Sequence, residues 1–212
     1  MVAAGLATLG SSAWVARAFV SSPKSCAGGW RWDVKTLSDR AANTISFTPV
    51  NTSVAKLVSM TAATSLAGNT PRGAGVESTT YRVTAALDHM DLQADGDVHL
   101  VIADPHDTSK MMLAEFPDVT CPGPDHSYKK QQLRAARLAL IKACGAVPPA
   151  GMKERLRGTL ILTGVGFFDQ NTQFNPNGVE IHPVLAVKKI SCKRVGSTRV
   201  LQSQEYSRGA SD

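Results

Sequence analysis

Aromatic residues are scarce, only 6% of the chain, so any core must be built mainly from Val, Leu, Ile, Ala and Met. No C-x-x-C pair joins any two of Cys26, Cys121, Cys144 and Cys192, which argues against a zinc knuckle or a thioredoxin-type redox motif. H-E-x-x-H, a Walker loop and a nucleophile elbow are all missing, so no familiar metalloprotease, P-loop or serine-hydrolase signature is at hand. A membrane-spanning run is lacking too. The most apolar stretch, MVAAGLATLGSSAWVARAF, is too short and too rich in Gly and Ser to span a bilayer.

What is present describes a globular protein. Hydrophobic residues make up 43% and charged residues 19% of 212 positions, enough for one domain with extensions. The formal net charge is +6, which attracts polyanions without selecting among them. The opening stretch fits the apolar part of an export signal, with Ala16-Arg17-Ala18 as an A-x-A cleavage pattern, although the usual positive n-region is missing. Residues 1–18 are therefore set aside as an expected signal segment. The expected location is secreted or in the cell envelope, with no stable membrane span after processing. Four cysteines agree with an oxidising compartment and allow three pairings. Cys121 and Cys144 flank one predicted helix, and Cys26 and Cys192 flank the predicted domain. The preferred pairing is 121–144 with 26–192. It requires the segment after Cys121 to run back along most of that helix.

Residues 19–75 read as an N-terminal extension. SSPKSCAGGWRWDVKTLSD is an irregular lead-in, VAKLVSM is a short helix capped at Thr52 or Ser53, and AGNTPRGAG (67–75) is turn chemistry. From residue 79 the hydrophobic period becomes two. TYRVTAAL sets Tyr81, Val83, Ala85 and Leu87 on one face and Arg82, Thr84 and Ala86 on the other. Asp95-Gly96 signals a hairpin turn. DVHLVIAD then turns Val98, Leu100 and Ile102 inward and His99 and Val101 outward. KMMLAEFP alternates Met112, Ala114 and Phe116 with Met111, Leu113 and Glu115. HSYKKQQLRAARLALIKACG is helical, with Leu133, Ala136, Leu140 and Cys144 on one stripe. Two further strands, GTLILTGVGFF and GVEIHPVLAV, flank the loop DQNTQFNPNG. Residues 193–212 carry no useful period and are read as a mobile basic tail.

The expected fold over residues 76–192 is thus mainly β with one packed helix. The order β-β-β-α-β-β is that of a five-stranded OB-like barrel; a two-layer α+β sheet is the competitor.

Period two also orients the candidate chemistry. With Val179, Ile181, Pro183 and Leu185 on one face of the last strand, Glu180 and His182 share the other. Arg82, His99, Glu180 and His182 are then expected to converge on the barrel exterior, with Glu115 one strand further. His99, Glu115, Glu180 and His182 form a ligand set for a divalent ion such as Zn²⁺ or Mn²⁺. Alternatively the imidazoles and carboxylates serve as acid and base, with Arg82 holding an anionic group. The competing explanation is an exterior polar network. His89, His106 and His126 are read as loop residues in or beside turns, and Asp95 and Asp97 as turn formers flanking Gly96.

Phe168 borders and Phe174 lies within the 169–178 loop, where OB-like barrels often bind ligands; alternatively Phe167 or Phe168 finishes the core and Phe174 pins the loop down. Lys129, Lys130, Arg134, Arg137, Lys142, Lys153, Arg155 and Arg157 form a basic cluster. That cluster is either a solvated face or a surface that tracks phosphates.

Four motifs in order, DGDVHLVIADP, MLAEFPDVTC, TGVGFFD and NGVEIHPVL, resemble a family of exported bacterial proteins over roughly residues 76–188; CAGGWRWDVKTLSD is similar more loosely. The resemblance implies export and a shared architecture, and no particular chemistry. This chain has FFDQNTQFNPNG where the family's loop carries another histidine and more glycine. The leading functional expectation is a binding or interaction module for an anionic polymer, nucleic acid or acidic glycan, with Arg134, Arg137, Phe168 and Phe174 as contacts. The alternative is a metal-assisted hydrolase, such as a phosphodiesterase or nuclease, using the His/Glu cluster.

Overall fold

The structure, a computed structural model, describes residues 29–63, 66–169, 174 and 177–199. The expected signal segment, Cys26 and most of the loop after Asp169 lie outside them. The elements are α1 (Trp32–Thr36), β1 (Ser46–Thr52), α2 (Val54–Val58), β2 (Thr79–Leu92), β3 (Val98–Ala103), β4 (Met111–Phe116), α3 (Lys130–Cys144), β5 (Met152–Phe168) and β6 (Val179–Arg199), with short 3-10 turns between some of them. They make a mainly β protein with few helices and one mixed sheet of six strands. Its order is β1-β2-β3-β4-β6-β5, and β5 pairs additionally with β2. No helix among the described residues is long and apolar enough to cross a membrane.

The alternation of β2, β3 and β4 has the expected phase. Val83, Ala85, Val98, Leu100, Ile102, Met112, Ala114 and Phe116 are fully buried in one cluster that Leu160, Leu162, Val179, Ile181 and Val184 complete. Gly96, with φ 92°, makes the turn that reverses β2 into β3. The stripe expected on α3, Leu133, Ala136, Leu140 and Cys144, is its buried face, and Gly145 ends the helix with φ 86°. Ser53 caps α2, its Oγ accepting from the Lys56 N–H at 3.1 Å.

Three expectations are corrected. The lead-in before α2 contains a strand, β1, which pairs in parallel with β2 alone. Its single ladder makes it an edge strand, where Pro49 needs no donor, and that is why the proline did not exclude it. The supposed mobile tail begins later than residue 193, since β6 runs on to Arg199 against β5. The alternation in β6 also breaks. Gly166 pairs with Ile181 but Gly164 with Val184, so three residues of β6 oppose two of β5 and the phase changes at Pro183. Val184 therefore joins the main core, while Leu185 falls into a second cluster with Leu37, Ala42, Ile45, Leu133 and Val165.

The disulfide expectation is overturned. Cys144 is bonded to Cys192, with their Cα atoms 5.2 Å apart. Cys121 is disulfide-bonded as well, but not to Cys144. A 15-residue helix is about 22 Å long, so Cys121 before α3 and Cys144 at its far end are held apart, while β6 packs beside α3.

Candidate functional site

Around Glu115, Glu180 and His182 the opposite face of the sheet is not open to solvent. The N-terminal segment lies over it and is held by two buried arginines. Arg31 makes paired bonds to Glu77, Nη2 to Oε2 at 2.7 Å, and also donates to the carbonyls of Thr70, Pro71 and Phe168. Arg72 binds Asp39 at 2.7 Å and the Val34 carbonyl at 2.6 Å. Trp30 and Arg31 cover Phe167, whose ring is 6.2 Å from the Trp30 ring and 4.9 Å from the Arg31 guanidinium.

Beneath this cover the candidate residues meet. His99 faces Glu115 across the β3–β4 ladder, its Nε2 2.8 Å from Oε1. His182 Nδ1 is 2.9 Å from Glu115 Oε2 and 3.3 Å from Glu180 Oε1. The four residues expected to share a site do lie together. Their location differs from the expectation, however: Glu180 and His182 are fully buried, and Glu115 is 1% exposed. His99 keeps 22% of its side chain exposed and Asp169 19%, so these two members touch solvent while Glu115, Glu180 and His182 do not.

Arg82 is not part of the cluster. Its Nε donates to Thr163 Oγ1 at 3.4 Å near the start of β2, whereas His99 pairs with Asp91 near that strand's end. Nine residues of strand separate the two positions, roughly 30 Å along the chain. His89 is not a loop residue either: it lies within β2, buried, with Nδ1 2.6 Å from Asp88. His106 and His126 are exposed.

Three members escaped the sequence reading. Asp97 is fully buried, its Oδ2 3.3 Å from His182 Nε2, while its Oδ1 accepts from the Asp118 N–H at 3.1 Å. A usable signal existed, because D-x-H in DGDVH places Asp97 and His99 on one face of a strand. Asp169, the last residue of GVGFFD, binds Lys35 at 2.7 Å. Lys35, on α1, had no local signal. Its chemistry depends on a fold-back from a different part of the chain.

The electrostatics follow from crowding. For Glu115, burial resists ionisation, but His99, Lys35 and His182 outweigh it and hold the carboxyl well below the usual range. Glu180 goes the other way: burial, then the charges of Glu115 and Asp169, push it up to about 8. His99 is raised to about 9; burial opposes its charge and Glu115 overcomes that opposition. His182 is likewise raised well above the ordinary imidazole value by Glu115 and its other carboxylate partners, against burial.

The other expected contacts divide. Phe167 is buried against the His182 ring at 5.6 Å. Phe168 is half-buried, its N–H donating to Glu77. Phe174 is also half-buried, with its ring 5.2 Å from His89 and 5.2 Å from Lys153 Nζ. Arg137 is used internally, donating to the carbonyls of Gly96 and Phe116 at 2.9 and 2.7 Å, whereas Arg134 is exposed. The basic cluster splits accordingly. Lys153, Arg155 and Arg157 alternate along one face of β5, and Lys193 of β6 stands directly opposite Arg157. Searches against known protein families, curated proteins and solved structures each returned no match.

Proposed function

We propose that the chain is an exported OB-like β-barrel module that binds an anionic polymer, a nucleic-acid strand, along its β5–β6 ribbon. Closure into a barrel is supported by the ladder order, in which β2-β3-β4-β6-β5 returns to β2, and by the position of α3 between β4 and β5. Export is supported by the Cys144–Cys192 bond, which suits an oxidising compartment.

The observation that carries the binding reading is the basic stripe. Arg155, Arg157 and Lys193 are exposed, and Arg157 faces Lys193 across the ladder, a like-charge pair that costs stability unless an anion lies over it. Lys188 extends the same ribbon, and its acidic neighbours are Asp88, 3.7 Å from Arg155, and Glu154, 3.1 Å from Arg194. A metal-assisted hydrolase is supported less well. Such a site keeps an open coordination position for water and substrate, whereas of His99, Glu115, Glu180 and His182 only His99 keeps solvent exposure and the other three are sealed.

Anisotropy of a labelled single-stranded oligonucleotide, read at 50 and 200 mM salt, tests the reading. Three to four phosphate contacts predict an affinity roughly 20- to 50-fold lower at the higher salt. Arg155→Ala and Arg157→Ala should each reduce the salt slope by about one. Salt-insensitive binding, or variants as tight as the parent, would refute the ribbon; binding to an acidic glycan alone would reject nucleic acid as the polymer.

A further inference from the structure

We infer that Asp97, Glu115 and His182 form a binding site for one divalent transition-metal ion, of the Mn²⁺ or Zn²⁺ type, sealed between the sheet and its N-terminal cover. One ligand atom from each of the three lies within 4.8 Å of the others. Each residue is at most 1% exposed. A second observation points the same way. Asp97 Oδ2, Glu115 Oε2, Glu180 Oε2 and His182 Nε2 are buried polar atoms without an aligned hydrogen bond, although Glu115 Oε2 lies 2.9 Å from His182 Nδ1 and Asp97 Oδ2 3.3 Å from His182 Nε2. Four such atoms in one cluster are costly unless something satisfies them together.

The spacing says what that is. His182 Nε2 and Asp97 Oδ2 are 3.3 Å apart but not aligned as donor and acceptor. Two ligands each about 2.1 Å from a shared ion stand about 3.0–3.4 Å apart in octahedral or tetrahedral arrangements. The second ring nitrogen of His182, Nδ1, is hydrogen-bonded to Glu180 at 3.3 Å and also lies 2.9 Å from Glu115 Oε2, a carboxylate–imidazole arrangement of the kind that orients a ligating histidine. Asp97 is held in turn by the Asp118 N–H. Two oxygen donors and one imidazole suit Mn²⁺ or Zn²⁺, rather than the all-oxygen cages of Ca²⁺.

A neighbouring trio, Glu115, Asp169 and Glu180, has comparable spacing, but the Lys35 ammonium already stands there, 2.7 Å from Asp169 and 4.0 Å from Glu115. Lys35 is the resident cation of that half, leaving the Asp97 half for the ion. The three ligands come from the β2–β3 turn, β4 and β6, so the ion would cross-link three segments that already neighbour one another in the sheet.

The test uses the full-length protein, stripped with chelator and titrated with Mn²⁺ and Zn²⁺ while bound metal and thermal midpoint are followed. The expected result is one ion per chain, a higher midpoint on loading, and affinity at least about tenfold weaker in Asp97→Asn, which keeps the shape of the side chain. A wild-type protein that retains neither ion and shows no shift in midpoint would overturn the site, and would leave the cluster as a buried imidazolium–carboxylate network. Equal stoichiometry and affinity in Asp97→Asn and Glu115→Gln would overturn it as well, by placing the ion elsewhere. Should Asp97→Asn fail to fold, the wild-type titration decides alone. Polymer binding by the ribbon has a separate readout and stands or falls independently.

Discussion

At the scale of single residues, the most consequential groups are charged and buried. Arg31 is the clearest case: its side chain is buried with Glu77, and its side-chain hydrogen bonds all cross from the N-terminal segment to the 70–77 turn or to the end of β5. Arg31→Met leaves the Glu77 carboxylate without its main partner. The expected loss is about 3–5 kcal/mol in urea unfolding, the range for breaking one side of a buried pair. An unchanged midpoint would mean that the cover contributes little to the folded state. His99, Glu115, Glu180 and His182 were legible residue by residue because period two marks which side chains share a face. Asp97 was legible in principle but was absorbed by the simpler explanation that Asp-Gly-Asp makes a turn. That explanation was incomplete rather than false, since Asp95 Oδ1 does accept from the Asp97 N–H at 3.0 Å.

At the scale of elements, small junctions decide how the sheet is dressed. Asp104, at the end of β3, accepts from the Ala55 N–H at 3.0 Å and from the His106 N–H at 3.0 Å, tying α2 to the sheet. Those bonds hold its carboxyl below the ordinary value, the Ala55 bond first. A depressed folded-state pKa stabilises above the unfolded value of about 3.9, and the contribution disappears as pH falls through the folded-state value. Asp104→Asn should therefore be less stable than the parent at neutral pH, and the difference should shrink below about pH 4. Chemical denaturation at pH 3 and pH 7 measures it; a difference independent of pH would remove the ionic contribution. Element identity in β2–β4 and α3 was readable because each is a strong local pattern. β1 was not, because an edge strand has few buried residues and so little hydrophobic pattern to read.

At the scale of the whole molecule, the decisive event is the N-terminal segment folding over the outer face. Leu37, fully buried, anchors it in the second cluster with Val165 and Leu185. Leu37→Ala should cost about 2–5 kcal/mol, and hydrogen exchange should rise first at the β6 amides under the cover, residues 180–185. Exchange that rises equally in β3 and β4 would show that the cover and the sheet open as one unit. The same fold-back explains why a face that alternation marks as outward is dry, and why an ammonium from α1 enters a carboxylate cluster assembled from three strands.

What the sequence determined by itself was everything local: strand phase in β2, β3 and β4, the buried stripe of α3, the Asp95-Gly96 turn, and the sharing of a face by Glu180 and His182. Side-chain direction follows from backbone period, and that information lies within a few residues. Only the tertiary structure decided the rest. The Cys144–Cys192 pairing, the exclusion of Arg82, the inclusion of Asp97 and Lys35, and the burial of the imidazoles all depend on which distant segments meet. A side chain's direction is a property of its strand; what stands in front of it is settled by the rest of the chain.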